Sequence, residues 1–418
     1  MASIGIATEA SVLANGVKLD EILAKLDADP EKKLYGLRIN KGDSNPSTRC
    51  EYLGHAQGMT PAYMDFSANV FRMGTWNDVW FVKNNRPVML KHDGTVDYEL
   101  NHYDHSKKLD GTASDVANTS YDGEAMSEMP LVWLSTYESG SYKYIWVANY
   151  KVDDSFDAYA HTDKDGNVHD VIYMSMYGGS LVSGKLRSLS GQTLIQSATA
   201  EQEISYATAN GDGWFTKTWA QRRLMQCLLT LMFKTTNSQA ALGNGNLSGN
   251  AASNLLATGT LDTAGQFAGY NDNTHQVKAF YQEKPWADQW DRIAGIINDN
   301  GNIKVKMTAP YPTTGLTSSA TFSDFISTGT AAPSGTSGGY ISSTTMTKYG
   351  DIPTVASGSD TTYECDGLWY NNSQLDYALV GGDCDASSRC GLFCLSLHGA
   401  ASVAGWVVGA SLSYTEGN

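Results

Sequence analysis

The chain has 418 residues, enough for two or three domains, and 29 Lys and Arg against 44 Asp and Glu leave it at −15 at pH 7. A surface this acidic repels a phosphate backbone, which excludes nucleic acid as an expected partner; no apolar run approaches about 18 residues, so no membrane insertion is expected. Charged residues are only 17%, Gly (41), Tyr (23) and Trp (10) are plentiful and Pro (10) is scarce, which is the composition of a loop-rich β protein.

Residues 1–40 stand apart. Val17, Leu19, Ile22, Leu23 and Leu26 recur near helical spacing until Pro30, and a helix this short needs a partner, so the segment reads as a docking or oligomerisation element. Residues 41–126 read as β-rich, with strands at 79–82 and 87–90 and a hairpin turn at His92-Asp93-Gly94-Thr95 leading into 96–98. Further strands are predicted at 131–134 and 144–147, and on either side of Asp165-Gly166 at 158–162 and 168–173. Residues 215–233 form a helix on the spacing of Trp219, Leu224, Cys227, Leu228, Leu231 and Met232. The spacing of Trp290, Ile293 and Ile297 predicts a second helix over 286–297, ended by Asn298-Asp299-Asn300-Gly301. The Gly/Asn/Ser/Thr stretches 242–269 and 313–339 are long enough to be functional loops or partner contacts.

Several motifs fail on inspection. Gly179 to Lys185 has phosphate-loop spacing, but Leu186 stands where a magnesium-binding hydroxyl is required. Asp163-Lys-Asp165-Gly166-Asn167 has its glycine two places early for a calcium loop, and Met174 replaces the closing glutamate. Trp76-Asn77-Asp78 copies a triplet of calcium-dependent lectins without its partner triplet. His102, Asp104 and His105 lack the pattern of a metal site. No cofactor or metal is expected. Six dispersed cysteines and the absence of a secretion-signal pattern indicate synthesis in a reducing cytoplasm.

The closing 60 residues are the most informative. Residues 377–382 read as a strand entering a Gly381-Gly382 turn, and Arg389-Cys390-Gly391 opens the next strand. Alternation puts Phe393, Leu395 and Leu397 on a core face and Cys394, Ser396 and His398 on the other, beside a small-residue loop at 399–405; Trp406 and residues 410–414 close the unit.

Gly381-Gly382, Arg389-Cys390-Gly391, Trp406 and residues 409–414 resemble the closing segment of C-type-lectin-fold proteins of the formylglycine-generating-enzyme type. Within that superfamily the chain is similar to variable proteins of diversity-generating retroelements and to phage tail proteins related to the major tropism determinant. Residues 127–133, 180–191 and 219–229 carry the same likeness, which covers about residues 127–414. The resemblance implies an α+β fold: a C-type-lectin-like ligand-binding domain at 127–418, with a small twisted antiparallel sheet, two helices and long irregular loops, preceded by the β-rich region and the N-terminal helical segment. It implies a non-enzymatic virion protein, a tail-fibre or tail-tip receptor-binding protein. The expected partners are a host cell-surface receptor, protein or glycan, and other virion proteins through residues 1–40, in a homotrimer. Adenine-directed variation would turn Asn codons into residues such as Ser396, His398, Gly399, Val403, Gly405 and Val407, with Asp383 and Asp385 fitting the same idea. Trp369, Tyr370, Asn371, Asn372, Asp376 and Tyr377 add the rigid aromatics and adaptable polar groups of a binding loop. Two rival readings are a capsid-decorating fibre and a copper-dependent oxidase built on Cys384 and Cys390.

Overall fold

The computed structural model describes residues 29–418, so the helix expected around residues 17–26 lies outside the described residues. The rest is mostly β, with about 12% helix. That departs from an α+β balance of small sheet and two helices, and the reason lies in particular segments.

One of the two expected long helices is present. Trp219–Phe233 starts at Thr218, whose hydroxyl accepts from the Gln221 N–H while the Gln221 side chain accepts from the Thr218 N–H, a reciprocal cap. It ends where Lys234 turns left-handed (φ 53°). All 15 of its residues are buried, so its polar side chains must find internal partners. Residues 286–297 are not a helix. Ala287 and Asp288 are left-handed, and Trp290–Asp299 is a ten-residue strand. It is buried on both faces, which erases the polar alternation of a surface strand and leaves an apolar spacing that imitates a helix. Conversely, the strand expected at 79–82 is a short helix, Trp80–Lys83. Residues 159–161, expected as strand, make a turn of 3-10 helix.

Three larger sheets surround the long helix. A four-stranded antiparallel sheet runs Cys50–Gly54, Leu34–Asn40, Tyr142–Ala148, Trp133–Ser139. Leu34–Asn40, assigned by sequence to the N-terminal segment, is thus paired on both sides. A seven-stranded sheet takes Arg86–Lys91, Val96–Asn101 and Asp104–Lys108 from before residue 126 and joins them to Gly123–Pro130, Val171–Ser175, Leu412–Tyr414 and Trp214–Thr216. The expected hairpin at residues 92–95 connects two of these strands.

The third sheet positions the candidate site. Its order is Ile326–Ala331, Asn302–Val305, Trp290–Asp299, Leu375–Val380, Leu395–Leu397, Gly367–Asn371, Thr336–Tyr340, with Val408–Gly409 added in parallel beside Trp290. Leu395–Leu397 is inserted between two strands that are neighbours in sequence. One face of this sheet, with Ile293, Leu368, Val380, Leu395 and Leu397, packs in the main core together with the long helix and with Leu37, Ile39, Ile145 and Val147 of the four-stranded sheet.

Candidate functional site

The opposite face of the third sheet carries the candidate surface. Register places Gly338, Trp369, Ser396, Leu379 and Arg292 across it, one residue per strand. Trp369 is half-buried. Its indole lies over two glycines: a Cβ on Gly338 would come within 2.7 Å of the ring, and one on Gly367 within 2.6 Å. The Trp290 ring meets it edge-on, with centroids 5.3 Å apart at 86°. On the other side the Arg389 guanidinium stands 5.7 Å from the Trp369 ring and 5.6 Å from that of Tyr340, within cation–π range of both. The Tyr340 hydroxyl is 2.5 Å from Ser388 Oγ, which fixes that ring. The result is a preorganised row of Tyr340, Arg389, Trp369 and Trp290.

Sequence reasoning found Trp369 but not Tyr340, Trp290 or the role of Arg389. A signal existed in Gly338-Gly339-Tyr340, where a strand gives up two side chains beside an aromatic. Trp290 was hidden by its assignment to a helix.

The remaining expected site residues divide. Val407 packs with Trp369 against Trp290, Leu379 and Val408. Asp383 is buried, takes the Asp385 N–H at 3.0 Å and hydrogen-bonds the Trp290 side chain; burial pushes its carboxyl up. Asp385 is exposed. Ser396 is on the expected face, yet it is only 8% exposed, a correction to its expected availability. Its cross-strand neighbour Leu379 packs in one cluster with Trp290, Cys394 and Val408, and Cys394 is buried as well.

Asn371, Asn372, Asp376 and His398 gather at the end of the sheet. Asn371 Oδ1 accepts from Thr336 and Ser373, Asn372 Oδ1 accepts from the Gly335 N–H, and Gln374 Nε2 bridges Asp376 Oδ1 and the His398 carbonyl. Asp376 is itself buried, which corrects its reading as a surface group, and burial pushes its carboxyl up to about 6. His398 is exposed and the Gly399 carbonyl accepts from the Tyr377 N–H. Tyr377 is no surface ring either: it is buried in a separate cluster with Phe322 and Phe325. Val403 is 44% exposed, and its carbonyl takes a guanidinium N–H of Arg292 at 2.7 Å; that arginine is paired with Glu203. The Gly405 carbonyl accepts from Ser197. Tyr370 points the other way from Trp369 and packs against the main core, so the two aromatics do not share a surface.

Among the described residues no group of three or more His, Cys, Asp or Glu side chains is placed to hold a metal ion. Cys384, Cys390 and Cys394 are buried free thiols. Burial pushes Cys384 up to about 11 and the other two well above the ordinary thiol range; Cys390 donates to the Asp383 carbonyl and Cys384 to the Gly249 carbonyl. Among the described residues no helix is long and apolar enough to cross a membrane.

No protein-family model and no curated protein matches the chain. Among solved structures, a protein titled "Major Tropism Determinant U1 Variant" aligns over 79% of this chain and 72% of its own, with a TM-score of 0.30 and 10% identity. A likeness at that level decides neither fold nor function.

Proposed function

We propose that the chain is a receptor-binding protein of a phage virion, carried on a tail fibre or tail tip, whose C-type-lectin-like unit over residues 127–418 presents the Trp369 surface to a host receptor. The motif resemblance at Gly381-Gly382, Arg389-Cys390-Gly391 and residues 409–414 supports this reading. The observation that carries it is the half-exposed Trp369 indole, held flat over Gly338 and Gly367 between Trp290 and Arg389. A rigid aromatic beside a guanidinium is the composition of an interface anchor. On this reading the protein acts by binding, not by catalysis: Cys384 and Cys390, the pair a copper oxidase would use, are buried and each donates to a different backbone carbonyl, of Gly249 and of Asp383. The N-terminal segment assigned to residues 1–40, of which Leu34–Asn40 is also a strand of the four-stranded sheet, joins subunits, as a homotrimer, or docks to other virion proteins.

The test is adsorption of the purified chain to host cells and its competition with virions, measured beside thermal melting. Trp369→Ala and Arg389→Ala are expected to weaken adsorption about tenfold or more. Phe393→Ala, at a residue 5% exposed, is expected to cost about 3–5 kcal/mol of folding while the surviving folded protein adsorbs normally. Trp406 is half-buried, so its truncation costs less than a full core residue. Normal adsorption by both the Trp369 and Arg389 variants would refute the proposal.

A further inference from the structure

A second cleft lies outside this surface. It has a volume of about 730 Å³ and is bounded by the hairpin Tyr63–Asp65/Val70–Arg72, the helix Trp80–Lys83, the tip of the hairpin Val96–Asn101/Asp104–Lys108 and the loop at 263–270. Its size falls within the roughly 300–1,000 Å³ of small-molecule sites. The last wall belongs to one of the two Gly/Asn/Ser/Thr stretches that the sequence marks as functional.

Aromatic rings line it, among them those of Tyr103, Phe71 and Phe267. Tyr103 is 74% exposed. Its turn is held by Asn101 Oδ1, which accepts the N–H of Tyr103 at 2.9 Å and of Asp104 at 3.1 Å. The ring rests on Gly265, where a Cβ would come 3.2 Å from it and where φ is +74°, so both the space and the backbone call for glycine. Across the cleft Phe71 stacks on Phe267 at 4.7 Å and 12°.

Between the rings stand hydrogen-bonding groups with spare capacity. Asn77 and Asp78 are exposed just before the short helix and Lys83 at its end, and among the described residues none of their side chains has a hydrogen-bond or ion-pair partner. Gln266 spends both amide hydrogens on Val82 O and Asn85 Oδ1, each at 3.0 Å, leaving its amide oxygen free to accept. The lining charges cancel: Asp78 offsets Lys83, and His102 is engaged by Glu99 at 2.6 Å and Tyr281 at 2.9 Å. A near-neutral cleft in a chain carrying −15 neither attracts nor specifically repels charge.

We infer that this cleft binds a neutral oligosaccharide, with sugar C–H faces on Tyr103 and Phe71 and hydroxyls on Asn77, Asp78 and Gln266. Rings that accept an apolar face, interleaved with the Asn77 amide, which gives and takes hydrogen bonds, and with the Gln266 amide oxygen and the Asp78 carboxylate, which accept them, match a molecule that is apolar on its faces and hydroxylated at its rim. The site is separate from the Trp369 surface and does not depend on its assignment.

The experiment is a titration of the full chain with a panel of neutral oligosaccharides built on glucose, galactose and N-acetylglucosamine, at low and at high salt. At least one member should bind with an affinity that salt leaves unchanged. Tyr103→Ala should weaken it about tenfold or more without shifting the melting temperature, because the ring is largely in solvent, and Asp78→Ala should weaken it as well. Trp369→Ala should leave it intact, which separates this site from the receptor surface. Failure of the whole panel, binding that survives both Tyr103→Ala and Asp78→Ala, or binding lost with Trp369→Ala would overturn the inference.

Discussion

Arg222 offers the sharpest test of how the candidate surface is held. It lies in the buried helix and its guanidinium donates to three carbonyls: Pro285 at 2.7 Å, Gly391 at 3.0 Å and Leu392 at 2.6 Å. The last two lie two and three residues after Arg389, so this side chain anchors the base of the segment that carries the guanidinium beside Trp369. Two effects compete. Three charge-assisted bonds contribute about 1.5–3 kcal/mol each. Against them, burial lowers the Arg222 pKa from 12.5 to about 10, a desolvation of about 3 kcal/mol, and its Nε has no partner among the described residues. Arg222→Met removes the charge and keeps the stem. The Leu392 carbonyl then retains Gln226 Nε2 and the Gly391 carbonyl retains the Cys394 N–H, whereas Pro285 retains none among the described residues. The net cost should therefore lie at the low end, about 2–3 kcal/mol, read as a lower urea midpoint at unchanged slope. Amide exchange should quicken at residues 389–393, and cell adsorption should weaken with it. A variant within about 0.5 kcal/mol of the parent, or more stable, would show that apolar packing replaces the anchor and that the segment is held by something else.

Two further outcomes follow from buried charge. Lys143 reaches Asp351 at 3.1 Å and Glu364 at 3.0 Å, with Arg49 also on Glu364, linking the four-stranded sheet to the hairpin Ser343–Thr347/Gly350–Val355. Lys143→Met leaves Asp351 unpaired and should cost about 3–5 kcal/mol in chemical denaturation, largely recovered in the double variant with Asp351→Asn; strictly additive losses would refute the coupling. Asp376, pushed up to about 6 by burial, binds its proton more tightly in the folded than in the unfolded chain. Its stabilising contribution is fully present below the ordinary carboxylate pKa of about 4 and is lost as pH rises through about 6, so melting of Asp376→Asn should depend less on pH across that window, and an unchanged profile would count against the assignment.

The parts of the fold legible in the sequence are those set by neighbours in the chain. The helix Trp219–Phe233 announces itself by spacing and by Thr218 with Gln221, and the turn at 92–95 by Asp93-Gly94. Trp290–Asp299 was not legible, because a strand covered on both faces shows no alternation, and Gly295 (φ +87°) adds a break where its pairing register shifts.

The candidate site fails and succeeds on the same ground. Local alternation sets Leu395 and Leu397 on the core side and Ser396 opposite, and that much was readable. Whether Ser396 reaches solvent depends on chain that returns only later: Val408, twelve residues on, pairs beside Trp290 and joins the cluster of Leu379, the cross-strand neighbour of Ser396. Alternation would also have parted Trp369 from Tyr370, had Gly367–Asn371 been recognised as a strand and not a loop. What no local rule could supply is the insertion of Leu395–Leu397 between Gly367–Asn371 and Leu375–Val380. That insertion sets Trp369 in register with Ser396, and pairing with Thr336–Tyr340 brings up Gly338 beneath the indole and Tyr340 beside Arg389. The row of ring and guanidinium is thus a product of long-range register: its members are ordinary residues in four separate stretches of chain, and only the order of strands makes them a surface.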